Sequence, residues 1–78
     1  MEFNLMTIDM IKTGQRITSA REKAGLSVRD LQASIGLSEP TAIYKWQRGE
    51  CLPRLDHLII LSAICGVPIG ELIAVRTN

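Results

Sequence analysis

Aromatic side chains are nearly missing from this chain, which has one Trp, one Tyr and one Phe in 78 residues. Its apolar content is instead rich in Ile and Leu, set among polar residues at helical spacing. That pattern argues for an all-α fold, a compact bundle of about five short helices. Cysteine is scarce too: Cys51 and Cys65 stand fourteen apart with a single histidine, His57. This is not the ligand spacing of a structural zinc site, so no metal and no cofactor is expected. Cys65 reads as a small core hydrophobe and Cys51 as a loop thiol. So few cysteines suit a reducing, cytoplasmic setting.

An excess of charge of either sign is also missing, with a net value of only +1. A nucleic-acid-binding domain is usually more basic, so only a local arrangement of charge could support such a role. The apolar run Leu58 to Cys65 is far too short to span a bilayer, and no membrane association is expected. No charged-then-apolar leader with a small-residue cleavage site is evident. Catalysis is not expected either: His57 sits beside Asp56 on a helix edge, with no nucleophile placed by sequence, and reads as a solvated helix residue.

What the chain does have is a stretch from Leu26 to Gly49 that reads as helix, tight turn, helix. Ser27 is a good N-cap, because its side-chain oxygen can accept from a free first-turn amide. Leu31 and Ile35, four apart, make one apolar edge. Gly36 stops this helix, Leu37 plugs the turn and Ser38 is expected to cap again. Pro40 is tolerated in a first helical turn, where its missing N–H costs little. Ala42, Ile43 and Trp46 turn inward, and Gly49 ends the second helix. Two short helices joined by a glycine-containing turn form a helix-turn-helix.

The rest is arranged around this motif as one domain, residues 9–75, with the motif at 27–48. Residues 1–8 form an arm, in which Phe3 and Leu5 alternate with Asn4. It suits a short strand or an arm lying on the body or a partner chain, the alternative being a frayed terminus. Asp9 caps a first helix reaching about Ala24, with a stripe of Met10, Gly14, Ile17, Ala20, Arg21 and Ala24. Arg21 on that stripe either snorkels to water or serves as a buried polar partner for the end of the third helix. A loop at 50–54 precedes a fourth helix, Leu55 to Cys65. One face carries Leu55, Leu58, Leu61, Ser62 and Cys65, while Ile59, Ile60, Ala63 and Ile64 lie off it. A helix apolar all round is buried on more than one side, and a second chain is the natural cover. Gly66-Val67-Pro68 breaks the helix, a short fifth helix runs from Ile69 to Ile73 or Val75, and 76–78 form a polar tail.

These residues resemble the lambda-repressor/Cro-like helix-turn-helix domains, in particular the Xre-like bacterial regulators. The likeness runs from Gly14 to Leu72. It rests on Gly14-x-Arg16-Ile17, Arg21, Gly25-Leu26-Ser27, Leu31, Ile35-Gly36-Leu37-Ser38, Ile43, Trp46, Gly49, Pro53, Leu55, Leu58, Leu61, Gly66-Val67-Pro68-Ile69 and Glu71-Leu72. Three departures stand out. Gln32 replaces a small Ala where the two helices cross, which a looser turn would accommodate. The segment from Gly36 to Gly49 is one residue longer than in many members. Gln47 replaces a Glu that pairs with the arginine matching Arg21, leaving a hydrogen bond in place of an ion pair.

The resemblance implies a sequence-specific DNA-binding transcriptional regulator, a repressor, with helix 39–48 inserted into the major groove of double-stranded DNA. With Ile43 and Trp46 inside, Thr41, Lys45 and Arg48 lie on the opposite face. Base contacts are then expected from Ser38, Glu39, Thr41, Ala42 and Lys45, with Lys45 donating to guanine and Ala42 packing on a thymine methyl. Phosphate contacts are expected from Ser27, Val28 and Arg29 at the head of the preceding helix. Arg48 and Arg54 would add others from either side of the following loop. Tyr44 reads as half-buried packing. A homodimer would use Ile59, Ile60, Ile64, Ile69 and Ile73, with Phe3 and Leu5 as further candidates. No small-molecule ligand is expected, since no sensing domain follows the motif. The competing reading is a protein-interaction adaptor or antitoxin-like module on the same fold, which Glu39 and the low net charge favour.

Overall fold

A computed structural model of the chain describes residues 6–77. Phe3, Leu5 and Asn78 lie outside the described residues. A short strand β1 (Met6–Ile8) leads into α1 (Met10–Lys23), α2 (Val28–Ile35), α3 (Thr41–Arg48), α4 (Leu55–Cys65), α5 (Ile69–Leu72) and a last strand β2 (Val75–Thr77). The five expected helices are present, but the fold is not purely helical. β1 pairs antiparallel with β2, Met6 opposite Thr77 and Ile8 opposite Val75. The polar tail is thus the partner of the arm.

Local chemistry sets the helix ends. Asp9 caps α1 by accepting from the Lys12 amide at 2.9 Å. Ser27 and Asp30 cap α2 reciprocally: the Ser27 hydroxyl accepts from the Asp30 amide and the Asp30 carboxylate from the Ser27 amide. This is a capping box with Asp in the place usually held by Glu or Gln. α3 departs from expectation. It begins at Thr41 rather than at residue 39, with Pro40 in the N-cap position and no side-chain cap from Ser38. The cause is Pro40 itself, whose ring disfavours helical backbone at Glu39. The amides of Ile43 and Tyr44 reach back to the Pro40 carbonyl instead, at 3.0 and 3.3 Å. α5 also stops early, at Leu72, because Ile73 is already extended and feeds β2.

The core is Ile17, Leu31, Ile43, Trp46, Leu58, Leu61 and Leu72, one or two from each helix. α1 packs most extensively against α3. They cross at Gly14, where an added Cβ would collide with the carbonyl oxygens of Trp46 and Gln47. Thr13, absent from the expected stripe, is nevertheless buried. Its hydroxyl accepts from the Ala74 amide at 2.9 Å, and beside it the Asp9 amide donates to the Ala74 carbonyl at 2.8 Å. These bonds clip the β2 end of the chain onto the start of α1. On α4, Leu58 and Leu61 are buried, but Leu55, expected on the same face, is 70% exposed and Ile59 54%. Leu55, Ile59 and Ala63, four apart, form an exposed stripe.

Candidate nucleic-acid interface

The helix-turn-helix is held from behind by α1. Arg21 donates through Nε to the Gln47 side-chain oxygen at 3.1 Å and through Nη1 to the Leu26 carbonyl at 2.9 Å. One side chain thereby ties the last turn of α3 to the loop before α2. The expected polar partnership is present, with neutral Gln47 accepting the bond. Trp46 is anchored in the core, and His57 on α4 lies against it with ring centroids 5.7 Å apart, so His57 is half-buried packing rather than a fully solvated residue.

With Ile43 and Trp46 inward, Thr41, Lys45 and Arg48 are exposed along the outer side of α3. The expected base-contact set is only partly brought together. Ser38 and Glu39 are exposed but lie in the turn ahead of the helix. Ala42 is half-buried against the core, which turns it away from the outer face. Lys45 makes no ion pair among the described residues, whereas both flanking arginines do. Arg48 pairs with Glu50, and Arg54 with Asp56 at 3.1 Å. The hydrogen bond from Arg48 holds the Glu50 carboxyl below its ordinary range. Two of the three cations expected to meet DNA from this side, Arg48 and Arg54, are therefore partly neutralised. Such exposed pairs contribute little to stability.

The head of α2 carries Ser27 and Arg29 exposed and Val28 half-buried. The Ser27 hydroxyl is engaged with the Asp30 amide, leaving the first-turn amides of Val28 and Arg29 as the donors not used by the helix. Between α2 and α3 opens a cleft of about 510 Å³ lined by Val28, Arg29, Gln32, Ala33, Pro40 and Tyr44. Gln32, at the helix crossing, borders it. Tyr44, expected to be half-buried packing, is 44% exposed here. Cys51 and Cys65 are free, and both are half-buried against the core. Burial pushes the Cys65 thiol up from its ordinary value. No cluster able to hold a metal ion occurs among the described residues, and no helix among them is long and apolar enough to cross a membrane.

Two helices in this relation, braced by a third and presenting one outer face, define a helix-turn-helix protein. The chain belongs to the helix-turn-helix family HTH_3, whose profile matches residues 17–72. This agrees with the resemblance to lambda-repressor/Cro-like domains. It is 38% identical over 55 residues to a 26 kDa repressor protein of Escherichia phage HK022. That match covers 67% of this chain, and the chain spans about a quarter (23%) of the phage protein's length. Its fold is similar to the crystal structure of the restriction-modification controller protein C.AhdI from Aeromonas hydrophila. The TM-score is 0.72 at 28% identity, covering 82% of this chain and 96% of that one. These relatives are a repressor and a controller protein, not enzymes.

Proposed function

We propose that the protein is a sequence-specific DNA-binding transcription regulator, acting as a cytoplasmic homodimeric repressor that seats α3 in the major groove. The observation that carries this reading is the outer face of α3, where Thr41, Lys45 and Arg48 project from a helix fixed by Trp46 and by the Arg21–Gln47 bond. A rigid helix with an unpaired lysine at its centre suits donation to guanine O6 or N7. Phosphate contacts come from the head of α2, and from Arg48 and Arg54 once they leave their carboxylates. The relatives supply the regulatory sense of the reading, one being a repressor and another a controller protein.

Two-fold pairing would set two α3 helices one turn of DNA apart. The exposed Leu55, Ile59 and Ala63 stripe supports α4 as the contact, with Ile60 and Ile69 half-buried. Ile64 and Ile73 pack against their own core and would contribute less.

Selection of bound duplexes from a randomised pool at two salt concentrations tests the proposal. A two-fold motif should be enriched, with affinity falling steeply as salt rises. Lys45→Ala should then lose about 1–3 kcal/mol of discrimination at one base position. No retained DNA at low salt would instead favour a protein-interaction module, the reading that exposed Glu39 and the carboxylate-paired Arg48 and Arg54 support.

A further inference from the structure

The cleft between α2 and α3 has no place in the base-reading scheme above. Counting around α3 at 100° per residue, Tyr44 lies some 100° from Lys45 and about 60° from Thr41, on the flank turned toward α2. Pro40 lies on the same flank. A duplex seated against the Thr41 and Lys45 face therefore has one wall of its groove, a sugar-phosphate strand, running over this cleft.

The lining is suited to such a strand. Arg29, Gln32 and Tyr44 supply a guanidinium, an amide and a phenol, all hydrogen-bond donors, over apolar Val28, Ala33 and Pro40. No carboxylate lines it. The nearest on α2, that of Asp30, is already bonded to the Ser27 amide at 2.8 Å. Gln32 matters because an alanine there would bring no donor to the crossing. Tyr44 matters because it is exposed at this edge although α3 buries its neighbour Ile43 completely.

We infer that the α2–α3 cleft is a phosphodiester site, in which Tyr44 and Gln32, with Arg29, hold one phosphate of each DNA half-site and so fix the register of α3. This rests on the DNA-binding reading. It adds residues that position the helix rather than read sequence, because phosphate contacts set orientation without distinguishing bases.

The test uses the full chain and a duplex from the selection, together with a set in which single phosphates are replaced by neutral methylphosphonates. Wild type, Tyr44→Phe, Gln32→Ala and their double variant are compared, with circular dichroism melts to check that each folds. Removing these donors should weaken binding about tenfold on every duplex, leaving base preference unchanged. One methylphosphonate position per half-site should weaken wild type and cost the double variant clearly less, the remainder being the share of Arg29. If every methylphosphonate costs the double variant as much as wild type, the site does not exist. If the variants change base preference instead, Tyr44 or Gln32 reads sequence and the assignment is wrong. Lys45→Ala separates the two levels. Loss of sequence preference there, with the cleft variants neutral, overturns only the cleft. A wild type that binds no duplex overturns both.

Discussion

At the scale of single residues, the pair Ser27 and Asp30 shows how a short helix is started and how its stability depends on pH. The Asp30 carboxyl is held below its ordinary value, first by the hydrogen bond from the Ser27 backbone amide and then by the Ser27 side chain. A carboxyl whose folded pKa is depressed binds fewer protons folded than unfolded. Its contribution is therefore complete above the ordinary carboxylate range and is lost as pH falls through the folded value. Ser27→Ala removes one half of the box, and about 1 kcal/mol of stability should go with it. Thermal melts at neutral and strongly acidic pH check this: Asp30→Asn should destabilise at neutral pH and matter less in acid. Equal effects of Asp30→Asn at both pH values would show that the carboxylate is not what stabilises the start of α2.

At the scale of elements, the decisive relation is α1 against α3. Gly14 permits it, because its missing Cβ lets the α3 carbonyls of Trp46 and Gln47 approach the α1 backbone. Gly14→Ala should force the helices apart at a cost of about 1–3 kcal/mol, read as a lowered urea midpoint. Gly70→Ala, where an added Cβ meets nothing within 4 Å, serves as the control and should be neutral or slightly stabilising. Much of this relation is legible in the sequence. Gly14 and Arg21 fall on one stripe of α1, and the inward period of Ile43 and Trp46 identifies the face of α3 that meets it. The start of α3 is less legible, because Ser38 and Pro40 each carry a signal for helix initiation. The backbone restriction that Pro40 places on Glu39 prevails. Tyr44 is misjudged for a related reason: its exposure depends on how far α2 and α3 diverge, a tertiary distance that periodicity does not contain.

At the scale of the whole molecule, what periodicity finds is the helical core, and what it misses is pairing between distant segments. β1 and β2 are short and far apart in the chain: the arm's alternation at Phe3 and Leu5 suits a strand but lies outside the described residues, and Val75 to Thr77 carries no strand signal of its own. Ile73 and Val75 look like a continuing helix until their partner is known. The α4 surface is the counterpart case. Its all-round apolar character is evident in sequence, but the phase is not, and Leu55 proves to be on the open side. If that side joins two copies, Ile59→Glu should convert a dimer to a monomer in sedimentation equilibrium and leave the melting temperature of the monomer little changed. A variant still dimeric would place the contact elsewhere.

The ribbon of β1 and β2 also gives the molecule a mechanical character. Met6 and Thr77 form the outermost pair among the described residues. Tension applied through the two strands therefore meets the cross-strand bonds one after another, as in a zipper, rather than together in shear. The ribbon would part at low load. Beyond it, force reaches the Ala74 clamp on Asp9 and Thr13, two groups at the very start of α1. That clamp, with the Arg16 bond to the Ile73 carbonyl at 3.1 Å, stands between the ribbon and the packing of α1 against α3. The ribbon is in that sense a fuse, which would open before the packing of α1 against α3 is disturbed.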